Sequence, residues 1–120
     1  MPSSLSRSFI LAAVVATTWL MSASPASAKS CSLAGKQRSL GATYVTQLSV
    51  TGTSCASAER VVKAYHACRF RRGRAGTCGS TVRTFRCRER RSNVISTQFD
   101  AKVTCQKTGA RILHSYTQFT

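Results

Sequence analysis

Arginine is the residue type in this 120-residue sequence that is best suited to bind a ligand, and ten of the thirteen arginines lie between residues 54 and 91. The planar guanidinium group makes paired hydrogen bonds to phosphate, sulfate or carboxylate. If these arginines lie together, they form a surface whose affinity for anions falls steeply with salt. The alternative is a solvated face that only keeps the protein soluble. We expect eight residues to bind the ligand: Arg69, Arg71, Arg72, Arg74, Arg86, Arg88, Arg90 and Arg91.

The charge balance favours polyanions as partners. Eighteen basic residues stand against Glu59, Glu89 and Asp100, which gives a formal net charge of +15. Such a balance attracts an envelope polyanion, a nucleic acid, polyphosphate or an anionic protein surface, and we expect a monomer to bind it. Phe70 is the one aromatic residue beside the first group of arginines, and no zinc-finger, RNP-type or helix-turn-helix signature occurs. The pattern therefore favours general polyanion binding over the reading of a base sequence.

An enzymatic alternative depends on the two histidines. His66 and His114 could act as acid and base beside Lys63 in a small secreted ribonuclease. Lys63 and His66 are neighbours on a helix, but nothing in the sequence places His114 near them. A Gly-x-Ser-x-Gly nucleophile motif is absent, and three scattered acids are a poor basis for a glycosidase. We therefore expect no catalytic residue, and also no cofactor and no metal site.

A third alternative is an inhibitor or toxin-like partner of an extracellular protein. Residues 69–77 would form a rigid exposed loop if Cys68 and Cys78 bracket it. A membrane-active role is less favoured, because the one amphipathic helix needs its apolar side for the core.

The first 28 residues have the features of a secretory signal peptide. Arg7 precedes a short apolar run that begins at Phe9, and the segment ends in the small residues Ala26-Ser27-Ala28. We expect cleavage after Ala28, which leaves one basic, disulfide-rich domain of residues 29–120 that is secreted or extracytoplasmic and has no membrane segment. Six cysteines in a small exported domain predict three disulfides, and there is no Cys-x-x-Cys pair of the kind that binds zinc. The cysteines are Cys31, Cys55, Cys68, Cys78, Cys87 and Cys105.

The sequence predicts one amphipathic helix after the N-cap Ser54. Its apolar residues recur at helical spacing, with Glu59, Lys63 and His66 together on the other side and Glu59 paired with Lys63. The apolar positions are Ala58, Val61, Val62, Tyr65 and Cys68.

Alternating residues predict strands over residues 44–50, 81–88, 95–105 and 111–119, with a turn at residues 91–93. In the second strand, Arg83, Phe85 and Cys87 share one side and Val82 lies on the other. The register of the last strand stays open. The order predicts an α+β fold in which one amphipathic helix packs on a small antiparallel sheet that disulfides staple.

Helix geometry limits the disulfide pairing. Cys55 and Cys68 are about 20 Å apart along an intact helix and cannot pair with each other, whereas bridged Cα atoms lie within about 7 Å. Fifteen connectivities are possible for six cysteines. Our choice among them joins Cys55 to Cys105, Cys68 to Cys87 and Cys31 to Cys78.

Three short motifs resemble those of small secreted bacterial domains of unknown function. They are Ser54-Cys-x-x-Ala at the helix start, Phe85-Arg-Cys on a strand and Val103-Thr-Cys-x-x-x-Gly at a hairpin. The resemblance extends from about Ser54 to the end of the chain and implies no activity. It also implies a four-cysteine pattern to which Cys31 and Cys78 are additions.

Overall fold

The computed structural model describes residues 12–19 and 27–120, so most of the predicted signal peptide lies outside the described residues. The described part contains one helix and five antiparallel strands in the order β1-β2-β5-β4-β3. The helix packs on one face of the sheet, which confirms the α+β prediction, although the sheet dominates the domain. The elements are β1 (Lys29–Ser30), β2 (Tyr44–Thr51), α1 (Cys55–Phe70), β3 (Arg86–Ile95), β4 (Gln98–Lys107) and β5 (Ala110–Phe119).

The core lies between α1 and the facing side of the sheet. Ser54 caps the helix as predicted, since its Oγ accepts a hydrogen bond from the backbone N–H of Ser57 at 3.1 Å. The predicted apolar positions Ala58, Val61, Val62 and Tyr65 are all buried. They pack against alternate residues of the three long central strands: Val45, Leu48, Val50, Phe99, Ala101, Val103, Cys105, Ile112 and Tyr116.

The outer side of the helix differs from the prediction in two ways. His66 is buried rather than on the side of Glu59 and Lys63, because it lies one turn after Val62 and so shares the core face. Glu59 pairs with the Nζ of Lys36 at 2.9 Å instead of with Lys63.

The boundaries of β3 also differ from the prediction. The strand does not end in a turn at residues 91–93 but continues to Ile95, and residues 96 and 97 form the turn. Asn93 takes a positive φ of 50° within an irregularity of the β3–β4 pairing, so the predicted turn is a bulge instead. Val82 and Phe85 are both buried, because the chain reverses between them and does not yet follow the alternation of a strand.

The disulfide pairing differs from the prediction at all three bonds, although Cys55 and Cys68 indeed do not pair with each other. Each bond joins segments that the fold already makes neighbours. Cys31 follows β1 and lies near Cys55 at the start of the helix. Cys78 comes ten residues after Cys68, near the end of the helix. Cys87 of β3 and Cys105 of β4 lie directly opposite each other in the register. The bonds are Cys31–Cys55, Cys68–Cys78 and Cys87–Cys105.

We expect the turn between Val82 and Phe85 to contain backbone strain that a single substitution can relieve. Their backbone groups exchange two hydrogen bonds of 2.8 Å, and the two residues between them, Arg83 and Thr84, have φ angles of 45° and 73°. Tight turns of this kind favour Asn-Gly, and a β-branched residue at positive φ is strained. Thr84→Gly should therefore stabilise the domain by about 1 kcal/mol, a rise of roughly 4–8 °C in Tm.

Thermal unfolding of the oxidised protein checks this expectation. Thr81→Gly is the matched control, since Thr81 is exposed and lacks a positive φ. That control should leave Tm unchanged or lower it slightly. A Tm for Thr84→Gly at or below the wild-type value would contradict the strain argument.

Candidate functional site

The side of the sheet away from the helix, here called the open face, carries a group of basic residues. Strand alternation produces it, because each inward-facing residue of β3, β4 and β5 is flanked by residues that point to the other side. In the register, Arg90 lies directly opposite Lys102, while Gln106 lies between Arg86 and Arg111. The five basic residues of the open face are all exposed: Arg86, Arg88, Arg90, Lys102 and Arg111.

The acidic residues are placed where they leave this charge uncompensated. Glu59 pairs with Lys36, and Glu89 points to the helix side of the sheet, so Asp100 is the one acid on the open face. Among the described residues, the basic groups of the open face make no ion pair. Like charges directly opposite each other on two strands are destabilising, which makes the Arg90 and Lys102 pair a cost to the fold.

The structure divides the eight predicted binding arginines into three sets. Arg86, Arg88 and Arg90 lie on the open face, and Arg69 and Arg91 point inward on the helix side. The remaining three are exposed on the loop after the helix: Arg71, Arg72 and Arg74. The loop packs on the helix side of the sheet, so it does not share one face with the strand arginines.

Two inward-pointing guanidinium groups hold that loop, residues 71–77, which we call the clamped loop. Arg69 donates from one terminal nitrogen to the carbonyl of Arg74 at 2.6 Å. Arg91 donates to the carbonyls of Ala75 and Gly76, each at 2.8 Å. Three consecutive carbonyls are thus fixed, and the Cys68–Cys78 disulfide closes the same segment.

Arg69 is itself completely buried, at 0 % exposure. Its Nε donates to His66 Nδ1 at 3.1 Å and its second terminal nitrogen donates to Gln118 Oε1 at 2.7 Å. Its guanidinium carbon lies 4.5 Å from the ring centroid of Phe70 and 4.9 Å from that of Tyr116. Burial lowers the pKa of Arg69, and the negative charge of Glu89 opposes that effect.

Glu89 is the anion of this interior. Its carboxylate accepts hydrogen bonds from the hydroxyls of Tyr65, at 2.8 Å, and Tyr116. Its other oxygen accepts from Arg91 Nε at 2.6 Å. Burial and the neighbouring carboxylate raise the pKa of Tyr65, and burial with the Glu89 hydrogen bond raises that of Tyr116, so both phenols stay neutral donors.

The two histidines meet in the core. The Nε2 atoms of His66 and His114 are 3.1 Å apart. Since Arg69 donates to His66 Nδ1, neutral His66 carries its proton on Nε2 and donates to His114. His114 then carries its proton on Nδ1, a buried atom with no hydrogen-bond partner among the described residues.

This burial bears on the ribonuclease alternative. His66 and His114 are 0 % and 2 % exposed, so a phosphodiester cannot reach either ring in this fold, and Lys63 lies exposed on the other side of the helix. Burial is also the main reason why the pKa of His66 is lowered to about 2 and that of His114 to about 3; the positive charge of Arg69 adds to both shifts. The pair is therefore built to stay neutral inside the protein.

Sequence reasoning missed Lys102 and Arg111 as members of the basic face. Lys102 stands between Ala101 and Val103 on the clearest alternating strand, and that alternation was enough to place it outward. Arg111 could not be placed, because the register of the last strand depends on the turn before it.

We expect the stability of the domain to fall in mild acid. Both histidines are neutral in the folded state but protonate near pH 6.5 when unfolded, so the unfolded chain binds more protons below that pH. Their contribution is complete above pH 6.5 and decreases as the pH falls toward 3. The free energy of unfolding should drop by about 4 kcal/mol between pH 7 and pH 5, where few carboxylates titrate.

Denaturant unfolding of the oxidised protein at pH 7, 6 and 5 measures this slope. His114→Gln removes one titrating group and should roughly halve the slope, whatever it does to stability at pH 7. An equal free energy of unfolding at pH 7 and pH 5 in the wild-type protein would contradict the buried neutral pair.

Comparison with known proteins adds no relative. The chain matches no protein-family model, no curated protein and no solved structure. In the part of the chain that the structure describes, no helix has the length and apolarity needed to cross a membrane. The residues of the site themselves are therefore the guide to function.

Proposed function

We propose that this protein binds an anionic polymer, such as an envelope polyanion, a nucleic acid or polyphosphate, through the open face of its sheet. One observation carries the proposal: Arg90 and Lys102 lie directly opposite each other, exposed and without an ion-pair partner among the described residues. The fold keeps this repulsive pair although a single acidic substitution would relieve it. A polyanion across the face relieves it as well.

The dimensions of the open face suit an extended ligand. Alternate residues of a strand are about 6.6–6.8 Å apart, so the three open-face arginines of β3 form a row of about 13 Å. Neighbouring strands lie about 4.8 Å apart, which brings Lys102 beside that row. Hydroxyl and amide side chains on the same face can supply further hydrogen bonds: Gln47, Ser49, Thr104, Gln106 and Ser115.

The disulfide framework fits a secreted or extracytoplasmic protein. Three disulfides are present, and such bonds persist in oxidising compartments. We infer that the domain acts there as a monomer after loss of residues 1–28.

A second candidate function is docking to an anionic protein surface through the clamped loop. The Cys68–Cys78 disulfide and the bonds from Arg69 and Arg91 hold the loop in two consecutive turns, with Arg71, Arg72 and Arg74 exposed. A loop that is ordered before it binds loses little conformational entropy on association. The loop is folded into turns, unlike the extended segment that a protease cleaves. We therefore expect a partner to recognise the positive charge of the loop.

Replacing two open-face arginines should weaken polyanion binding more than the same charge change elsewhere. Arg88→Gln/Arg90→Gln should lower affinity for heparin and polyphosphate about tenfold or more and reduce the salt slope by about 2, since two anion contacts are lost. Arg60→Gln/Lys63→Gln removes the same charge from the exposed side of the helix and is the matched control.

Titrations at several salt concentrations provide the measurement. The control pair should change affinity less than threefold at moderate salt, because its charges lie across the domain from the ligand. Equal losses for the two pairs would mean that net charge, and not this face, binds the polymer.

Loosening the clamp should expose the loop to trypsin. Arg91→Lys keeps the charge next to Glu89, but its single nitrogen cannot reproduce the three separate hydrogen bonds that the planar guanidinium makes to Glu89, Ala75 and Gly76. We expect the wild-type loop to resist cleavage despite three exposed arginines, and Arg91→Lys to be cut at least ten times faster. Limited proteolysis with mass analysis locates the cuts, and Arg90→Lys on the open face is the control. Rapid cleavage of the wild-type loop would remove the case for a preformed docking loop.

A further inference from the structure

A concavity of about 380 Å³ lies at one end of the open face, beside the basic group. Its side chains are mostly hydroxyls, with one amide, one acid and one cation. The residues that matter for its chemistry are Asn93, Asp100, Lys102, Ser115 and Thr117. A site that binds only anions would be lined mainly by cations. The mixture of uncharged polar groups, an acid and a cation indicates a ligand that also carries hydroxyl groups.

Asp100 is the preorganised acceptor of the concavity. Its Oδ1 accepts from the Thr117 hydroxyl at 2.6 Å and its Oδ2 accepts from Asn93 Nδ2 at 2.9 Å. These hydrogen bonds hold the pKa of the Asp100 carboxyl below its usual range. Each carboxylate oxygen keeps a further lone pair that can accept a hydrogen bond from a ligand hydroxyl.

The β3 bulge is what places the amide of Asn93 here. Asn93 has a φ of 50° where the β3–β4 register shifts, and the reach of its side chain to Asp100 depends on that local geometry. Bulges commonly redirect a side chain toward a binding site.

Two aromatic rings border the same end of the face. Tyr44 lies opposite Thr117 in the register, and Phe119 follows Thr117 on the same side of β5. The two rings meet edge to face with centroids 5.7 Å apart, and Phe119 is 43 % exposed. The exposed ring of Phe119, at the same end of the face as this polar concavity, suits the apolar face of a sugar ring.

The arrangement next to the concavity supplies the charge for an acidic sugar. Lys102 lies two residues beyond Asp100 on the same face, about 6.8 Å away, and Arg90 stands opposite Lys102. A hydroxyl acceptor and two cations are therefore within the reach of one or two sugar units.

We propose that the polymer bound by the open face is an acidic polysaccharide, with hydroxyls of one sugar unit on Asp100 and carboxylate or sulfate groups on Lys102 and Arg90. This inference rests on the proposed function and narrows it. Polyphosphate has no hydroxyls for Asp100, and its charges are repelled there. Single-stranded DNA is less well matched, because bases stack on aromatic rings along a strand and the central part of this face has none.

Asp100→Asn separates this proposal from simple charge attraction. The substitution removes a negative charge, so electrostatics alone makes every polyanion bind more tightly. The loss of a charged acceptor for sugar hydroxyls has the opposite effect, of about tenfold. We expect Asp100→Asn to weaken binding to polygalacturonate about tenfold while binding to polyphosphate becomes equal or tighter.

Phe119→Ala provides a second variant that does not alter charge. It should weaken polygalacturonate binding severalfold and leave polyphosphate binding unchanged. Thermal unfolding of both variants shows whether the fold is kept, and the comparison between the two polymers within each variant holds even if stability changes.

The outcomes distinguish the two proposals. If Arg88→Gln/Arg90→Gln weakens both polymers while Asp100→Asn tightens both, the polyanion function stands and the polysaccharide inference is wrong. If the arginine pair affects neither polymer, the proposed function fails and the inference with it. Tighter binding of an oligo-dT of equal charge than of polygalacturonate would also overturn the inference.

Discussion

The buried guanidinium of Arg69 is the interaction on which the interior depends. It joins His66 on the helix, Gln118 on the last strand and the Arg74 carbonyl in the loop. A buried cation that lost these acceptors would cost several kcal/mol, so the three segments are held in one arrangement. The same hydrogen bond to His66 sets the tautomers of both core histidines. One side chain thus determines the end of the helix, the loop and the protonation of the core.

The interior cations also explain why the surface charge is unbalanced. Arg69 and Arg91 need an anion inside, and Glu89 meets that need, while the hydroxyls of two tyrosines donate hydrogen bonds to its carboxylate. Of the two remaining acids, Glu59 binds Lys36 and Asp100 is fixed by its own hydrogen bonds at one end of the sheet. With three acids in the whole chain, none is left for Arg86, Arg88 and Arg90. The open face keeps its positive charge because Glu89 is used to neutralise the inward-pointing arginines.

Local patterns predicted much of the fold, and contacts distant in sequence account for what they missed. Helical spacing identified the buried side of α1, and alternation identified the core residues of β4, because each pattern depends on neighbours in sequence. The disulfides and the contact between His66 and His114 depend on how elements pack, which no spacing encodes. Arg69 shows the same limit for the candidate site: at the end of a helix it looks like one more exposed arginine, yet it is buried.

Register links the disulfide framework to the candidate function. The Cys87–Cys105 bond joins residues that lie directly opposite on β3 and β4, and so fixes which residues of β3 point inward. A shift by one residue would expose Glu89 among the arginines and bring Arg88 and Arg90 against the core. Burying Arg88 and Arg90 without partners would be costly, and Glu89 would neutralise the charge of the open face. The covalent bond therefore stabilises the same register that leaves Arg90 opposite Lys102, the repulsive pair from which polyanion binding is proposed.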